Sequence, residues 1–405
     1  MNTSPSEPAS SYDVVVVGGG PAGCSAATLV AQAGHSVLLL ERQETPPFKV
    51  GESLIPASFE TLERLGMIDT LRSSHFPKKY SVQFYSGSGK ASSPFYFHET
   101  DPGDRSQTWQ VLRSEFDGLL LDNAARHGVD VQRGAAVKDV LFEAEDGSRA
   151  RGVKARFADG KTREIRSQVL LDATGQRAMI ARRLGIRKHD VCLRMAAIFT
   201  HFEGALRDPG IDEGATLILQ TEGNRGWFWY IPLPDNKVSV GVVGPIDYLI
   251  RDRQGNPQAT FDEEVLRCPG LIPRLTEARQ AMDVKVINDF SYTAEKAAGD
   301  GWALVGDAFG FLDPIYSSGV LLALKSGELA ADATVAALAA DDTSAERLGT
   351  YESTLRDGMA SFRQLIYAFY TPEFNFARFL KRYPQHRLAV VDILIGDVFD
   401  RDFSA

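Results

Sequence analysis

A glycine-rich turn near the amino end carries the first chemical signal. Gly18-Gly19-Gly20-Pro21-Ala22-Gly23 follows a β-branched run, Tyr12–Val17, and opens an alanine-rich stretch that ends at Gly34. Gly18 permits a tight turn, Gly20 lets a pyrophosphate approach the backbone, and Gly23, beside the small Ala22, lets helix and strand pack closely. The N–H groups at the helix start then face the phosphates. Glu41 ends the next apolar segment, His35–Glu41, where its carboxylate suits both ribose hydroxyls of a dinucleotide, with Arg42 beside it. A glycine turn without a ligand is the alternative. Far along the chain, Ala303-Leu304-Val305-Gly306-Asp307-Ala308 reads as a buried strand running into a second nucleotide turn. Asp172-Ala173-Thr174-Gly175 adds a third such turn.

Other residues suit different chemistry. Lys78 and Lys79 are adjacent on a predicted strand, so their side chains point to opposite faces, and one can enter a cavity while the other meets solvent. A free ammonium with a pKa of about 10.4 is no nucleophile. Burial would favour the neutral amine, and a neighbouring like charge would push the same way. The alternative is a pair of solvated strand lysines. Ser317-Ser318-Gly319 opens a predicted helix, whose N–H groups and positive end suit an anion such as a halide, while Gly319 allows close approach. Alternatively, Ser317 or Ser318 only caps the helix. Trp227 and Trp229, two apart on a predicted strand, share a face. They either wall a passage or belong to the core.

These groups need a frame to position them. Strand, glycine turn, helix, strand and acid make Tyr12–Glu41 a βαβ unit. Ser53–Arg72 reads as a helix, and Tyr80–Tyr85 with Ser93–Phe97 as a hairpin. Ser114–His127 reads as a capped helix, and Val129–Leu171 as strands broken at Asp146-Gly147 and Asp159-Gly160. Val191–Val243 is strand-rich, and helices dominate beyond Ser317. Late aromatics (Phe362, Tyr367, Phe369, Tyr370, Phe374, Phe376 and Phe379) line a pocket or, for most of them, form core. The chain thus interleaves a discontinuous nucleotide domain (12–79, 100–190 and 285–340) with a β-rich domain (80–99 and 191–284). A short disordered lead-in (1–11) precedes them and a helical section (341–405) follows.

Composition excludes several classes. With 405 residues, 44% hydrophobic and 24% charged, the chain is neither disordered nor fibrous. A net charge of −9 disfavours general nucleic-acid binding. No apolar run reaches the length that spans a bilayer, and residues 1–11 hold no signal peptide. Three scattered cysteines form no CxxC pair and no metal-ligand pattern, and they suit a reducing cytoplasm.

In this order the nucleotide motifs, with Leu112-Arg113-Ser114-Glu115-Phe116-Asp117, resemble FAD-binding proteins of the aromatic-hydroxylase-like class. That class has an α/β fold: a Rossmann-like FAD domain with an inserted β-rich substrate domain. Three further motifs are similar to those of the flavin-dependent halogenases. They are Gly51-Glu52-Ser53-Leu54-Ile55-Pro56, the WxWxIP pattern Gly226–Pro232, and the FxxPxxSxG pattern Phe311–Gly319 containing Pro314. Lys79-Tyr80-Ser81-Val82-Gln83-Phe84 has the family's lysine-to-phenylalanine spacing, and Lys78 does not.

The resemblance implies that FADH2 from a separate flavin reductase, with O2 and chloride or bromide, yields hypohalous acid. The oxidant reaches Lys79 through a tunnel, and Lys79 directs it onto an electron-rich ring. The resemblance also implies that Asp307 binds the ribityl or pyrophosphate side of FAD and that Arg113 contacts the phosphate or adenosine side. Glu52 and Ser53 would lie beside the flavin, with Glu52 helping to gate it. A helix-start acid is the bland reading of Glu52. Trp227 and Trp229 would keep substrate from the oxidising end. Tyr316 stands where the tryptophan-acting branch carries glutamate, so the chain resembles the phenol and pyrrole branch, whose substrates are often tethered to acyl-carrier proteins. Arg182-Arg183 with Arg187-Lys188-His189 is one candidate docking cluster. A monooxygenase or reductase of the same fold without halide chemistry is the competing reading.

Overall fold

The computed structural model describes residues 8–399 except 101, 145–147, 252, 254, 372–378 and 380. The turn expected at Asp146-Gly147, the lead-in up to residue 7, and Phe374 and Phe376 lie outside the described residues.

The valine run becomes the centre of a parallel sheet. Ser11–Val17 pairs with Val37–Glu41 on one side and Thr162–Asp172 on the other, with Val14 opposite both Val37 and Val169. Asp130–Arg133 and Trp302–Leu304 extend the sheet outward. A strand buried on both faces reads as a continuous apolar run, and Val14–Val17 are all buried. The helix Pro21–Gln32, with proline in its first turn, crosses between the first two strands. It packs on the long helix Ser318–Ala339, where the Ser25 hydroxyl donates to Leu324 O at 2.9 Å. Amino-terminal and late sequence therefore close one layer.

The second large sheet is mainly antiparallel. Its order runs from Arg279–Gln280 through Met195–Glu203, Lys237–Pro245, Trp227–Pro232 and Thr216–Gln220 to Ser81–Tyr85 and Phe95–Tyr96. The hairpin expected at residues 80–97 thus forms its edge. Lys285–Asn288, placed by sequence at the start of the nucleotide side, pairs instead with Met195–Glu203.

Two helix expectations change. Ser53–Arg72 is not one helix: Ser53 bridges to Gln110, and helices cover only Ser58–Arg64 and Ile68–Arg72. Pro56 disfavours helix in the residue before it, and Gly66, at φ +71°, separates the two pieces. The helix expected from Ser114 begins at Arg113, and no side chain caps it.

Candidate active site

The three nucleotide turns converge. A Cβ on Gly18 would lie 2.3 Å from Ala173 O, so the first turn touches Asp172–Gly175. A Cβ on Gly23 would lie 1.9 Å from Gly18 O, so only glycine lets the helix start so close to the strand end. A Cβ on Gly306 would meet Ala22 Cβ at 2.8 Å, which places the Gly306-Asp307 turn against the same helix start. Asp172 braces the assembly by accepting from the Thr174 and Ile180 amides at 3.0 and 2.7 Å.

The cradle fits a dinucleotide. No side chain caps the helix at Gly20, and beyond its own neighbours the position is open except for the Lys49 ammonium, 4.0 Å from a Cβ placed there. Glu41 accepts from the Gly19 and Gln43 amides at 2.8 and 2.9 Å, so it shapes the loop as well as facing it. The carboxyl of Asp307 has no hydrogen-bond partner among the described residues. Burial pushes it up to about 6, against the pull of Arg113 and Lys49. A half-buried carboxyl without a partner beside a glycine cradle is what a bound polyhydroxy cofactor would satisfy. Arg42 is exposed.

Arg113 is held by protein groups. Its Nε and Nη2 donate to both oxygens of buried Asp117, and its Nη1 donates to Val50 O. The protein thus engages all three of its nitrogens, and Arg113 braces the Val50-Gly51 backbone. Lys49, missed in the sequence reading, is the cation at Gly20. It pairs with Asp117 at 3.4 Å and stays partly exposed.

Lys79 points inward and Lys78 outward, as the alternation requires. Lys79 is 2% exposed, and its ammonium donates to Ser53 Oγ and Leu54 O, both at 2.9 Å. Ser53 Oγ lies 2.8 Å from Thr216 Oγ1, which accepts from Gln110 at 2.8 Å. Every partner of Lys79 is neutral. Burial alone lowers its pKa from 10.5 to about 7, and Lys78 contributes no resolved part.

Ile55, Lys79, Val82, Phe84, Phe97, Thr216, Ile315, Tyr316, Ser317 and Leu394 line one cavity. Its atom-free space is about 300 Å³, of which about 10 Å³ is wide enough for the centre of a water molecule. Lys79 and Ser317 therefore line one narrow pocket.

The Ser317-Ser318-Gly319 turn is not a conventional cap. Ser317 has φ +55°, and no side chain caps the helix Ser318–Ala339. Its first-turn N–H groups stay available at the positive end of a 22-residue helix. Gly319 lies under Phe311, where a Cβ would stand 3.1 Å from the ring. Pro314 begins the short turn before it, and Asp313 accepts from the Ile315 amide at 3.0 Å. Tyr316 lines the cavity with its ring and donates its hydroxyl to Leu365 O, so no acid replaces the missing glutamate beside Lys79.

Trp227 and Trp229 share a face, with ring centroids 6.3 Å apart, but neither lines the Lys79 cavity. Trp229 donates to Ser239 Oγ and packs on Phe199. Trp227 donates to the Tyr370 hydroxyl at 2.9 Å, which donates to Asp313 Oδ2 at 3.0 Å. Their indole N–H groups are satisfied inside the protein, and Trp227 ties the Asp313 turn to the β-rich sheet through Tyr370. Tyr370 and Phe369 join this contact, so these late aromatics pack against the core.

Glu52 starts no helix. Its Oε1 lies 2.8 Å from His201 Nε2, and its Oε2 is buried without a partner among the described residues. His201, on Met195–Glu203, stacks edge-on to Phe48. The pair fastens the Gly51–Pro56 segment to the β-rich sheet.

The basic run at 182–189 is largely neutralised. Arg183 pairs with Asp139, Lys188 with Glu295 and His189 with Asp289, while Arg187 lies over the Tyr292 ring. Among the described residues no cluster of three or more His, Cys, Asp or Glu is placed to hold a metal, and no helix is long and apolar enough to cross a membrane.

Glycine cradle, orphan carboxyl and two-sheet frame define an FAD-dependent oxidoreductase, and residues 11–361 match the FAD binding domain family. The chain belongs to the flavin-dependent halogenases. It is 30% identical to the 1H-pyrrole-2-carbonyl-(peptidyl-carrier protein) chlorinase of Pseudomonas fluorescens, covering 96% of this chain and 90% of the relative. It is 35% identical to the corresponding brominase of Pseudoalteromonas luteoviolacea, covering 82% and 79%. The solved flavin-dependent brominase Bmp2 superposes with a TM-score of 0.86 at 32% identity, covering 96% of this chain and 94% of that one.

Proposed function

We propose that the enzyme halogenates an electron-rich ring, a phenol or a pyrrole, free or tethered to a carrier protein, with Lys79 directing the transfer. The observation that carries this reading is the shared cavity. Lys79 and Ser317 line one narrow pocket, with uncapped helix amides at the Ser317 end. Glycines 18, 20 and 23, Glu41, Lys49 and Asp307 would hold the cofactor. Bound reduced FAD with O2 supplies the two-electron oxidation of halide to hypohalous acid, its electrons coming from a separate flavin reductase. The Ser318–Val320 amides would hold the halide by helix-end charge.

Hypohalous acid carries halogen to the ring with loss of water, and the ring gives up one proton. With a pKa of about 7, Lys79 is present near neutrality both as ammonium, which donates to the oxidant's oxygen, and as amine, which accepts halogen. Val82, Phe84 and Phe97 make the walls apolar and exclude water. Three free cysteines, two of them buried, suit a reducing cytoplasm.

Incubation with FAD, a flavin reductase, NADH, chloride or bromide, and a panel of phenols and pyrrolyl carriers tests the proposal. Halogenated masses support it. Hydroxylated products, or peroxide alone, would defeat it.

A further inference from the structure

Residues 381–388, Lys-Arg-Tyr-Pro-Gln-His-Arg-Leu, are exposed without a break. The stretch holds three permanent cations and a histidine, and no acid, in a chain of net charge −9. Among the described residues Lys381 and Arg382 have no carboxylate partner, unlike the run at 182–189. Leu388 is 64% exposed and Tyr383 39%, so apolar and aromatic surface lies among the charges. A cationic rim around such a contact suits an acidic protein partner.

The patch leads directly to the cavity. Arg387 begins the helix Arg387–Ile395 and pairs with Glu99 at 3.4 Å, just beyond the cavity residue Phe97. Leu394, near the other end of the helix, lines the cavity. Val391 and Ile395 pack with Phe97. At a rise of 1.5 Å per residue, the patch and the cavity wall are about 10 Å apart along the helix.

We propose that Lys381, Arg382, His386 and Arg387, with Tyr383 and Leu388, form the docking face for an acidic carrier domain. The carrier presents its ring on a phosphopantetheine arm at the Leu394 end of the Lys79 cavity. This rests on the carrier-bound reading above and adds the place and chemistry of recognition.

The test compares the full-length FAD-loaded enzyme with its Lys381→Glu/Arg382→Glu variant. The probe is an acidic peptidyl-carrier domain loaded with pyrrole-2-carbonyl, with binding followed by calorimetry at low and high salt. The double reversal weakens carrier binding at least about tenfold at low salt, and the gap narrows as salt screens the charges. Consumption of reduced flavin and halogenation of a free phenol stay unchanged. Equal carrier binding by both proteins, or binding indifferent to salt, overturns the docking face and leaves the carrier reading standing. A wild-type enzyme that halogenates free phenol but binds no loaded carrier overturns both.

Discussion

Lys79→Met removes a buried amine and keeps a side chain of similar length. Folding moves the Lys79 pKa from 10.5 to about 7, solely through burial. The folded state therefore binds this proton more weakly than the unfolded chain, so stability rises with pH through that window. Below pH 7 both states are protonated, and the full cost of about 5 kcal/mol applies, at 1.36 kcal/mol per unit. Above pH 7 the folded amine is neutral, and the cost shrinks to about 2 kcal/mol by pH 9. The methionine variant also loses the hydrogen bonds to Ser53 and Leu54, a change that does not depend on this titration. The predicted quantity is thus a difference of differences. The stability of Lys79→Met relative to wild type falls by about 3 kcal/mol between pH 6 and pH 9. Urea denaturation at both pH values, with equal FAD loading, measures it. A gap between the two proteins that stays flat with pH refutes a depressed amine at this position.

Other variants separate the remaining parts. Lys49→Met weakens FAD binding about tenfold, read by flavin fluorescence quenching, because a cation leaves the phosphate cradle. Ser317→Gly relieves left-handed strain and raises stability by about 1 kcal/mol in denaturant melts. It leaves the halide KM unchanged, because the anion site is built from amides. Tyr370→Phe breaks the link from Trp227 to Asp313, whose carboxyl burial already pushes up to about 7. It costs about 1–3 kcal/mol in the same melts, because buried partners lose a hydrogen bond.

Much of this was legible because it is local. The βαβ unit shows in one stretch of valines, glycines and a terminal acid. The choice of Lys79 over Lys78 followed from strand alternation and the spacing to Phe84, and the side chain faces the cavity. Long-range partners left no such trace. Glu52, in a segment outside any strand, meets His201 on the strand Met195–Glu203, and nothing in either neighbourhood marks the other. Lys49 sits in a segment with no periodicity, and only the fold brings it over Gly20. For Arg113, the partner Asp117 lies one helical turn on, a spacing the sequence does offer. For the tryptophan pair, strand alternation gives a shared face but not what that face meets. That face meets Phe199, Phe369 and Tyr370.

Separating oxidant formation from ring halogenation is the most direct measurement of the Lys79 assignment. Wild type and Lys79→Met are each supplied with one equivalent of reduced FAD, O2, bromide and an acceptor ring. Product is quantified by mass, and escaped hypobromous acid is caught by an added scavenger. Wild type should return brominated ring and little trapped oxidant, whereas Lys79→Met should consume the flavin, yield trapped oxidant and leave the ring unmodified. Equal ring bromination by the two proteins would contradict the role given to this lysine.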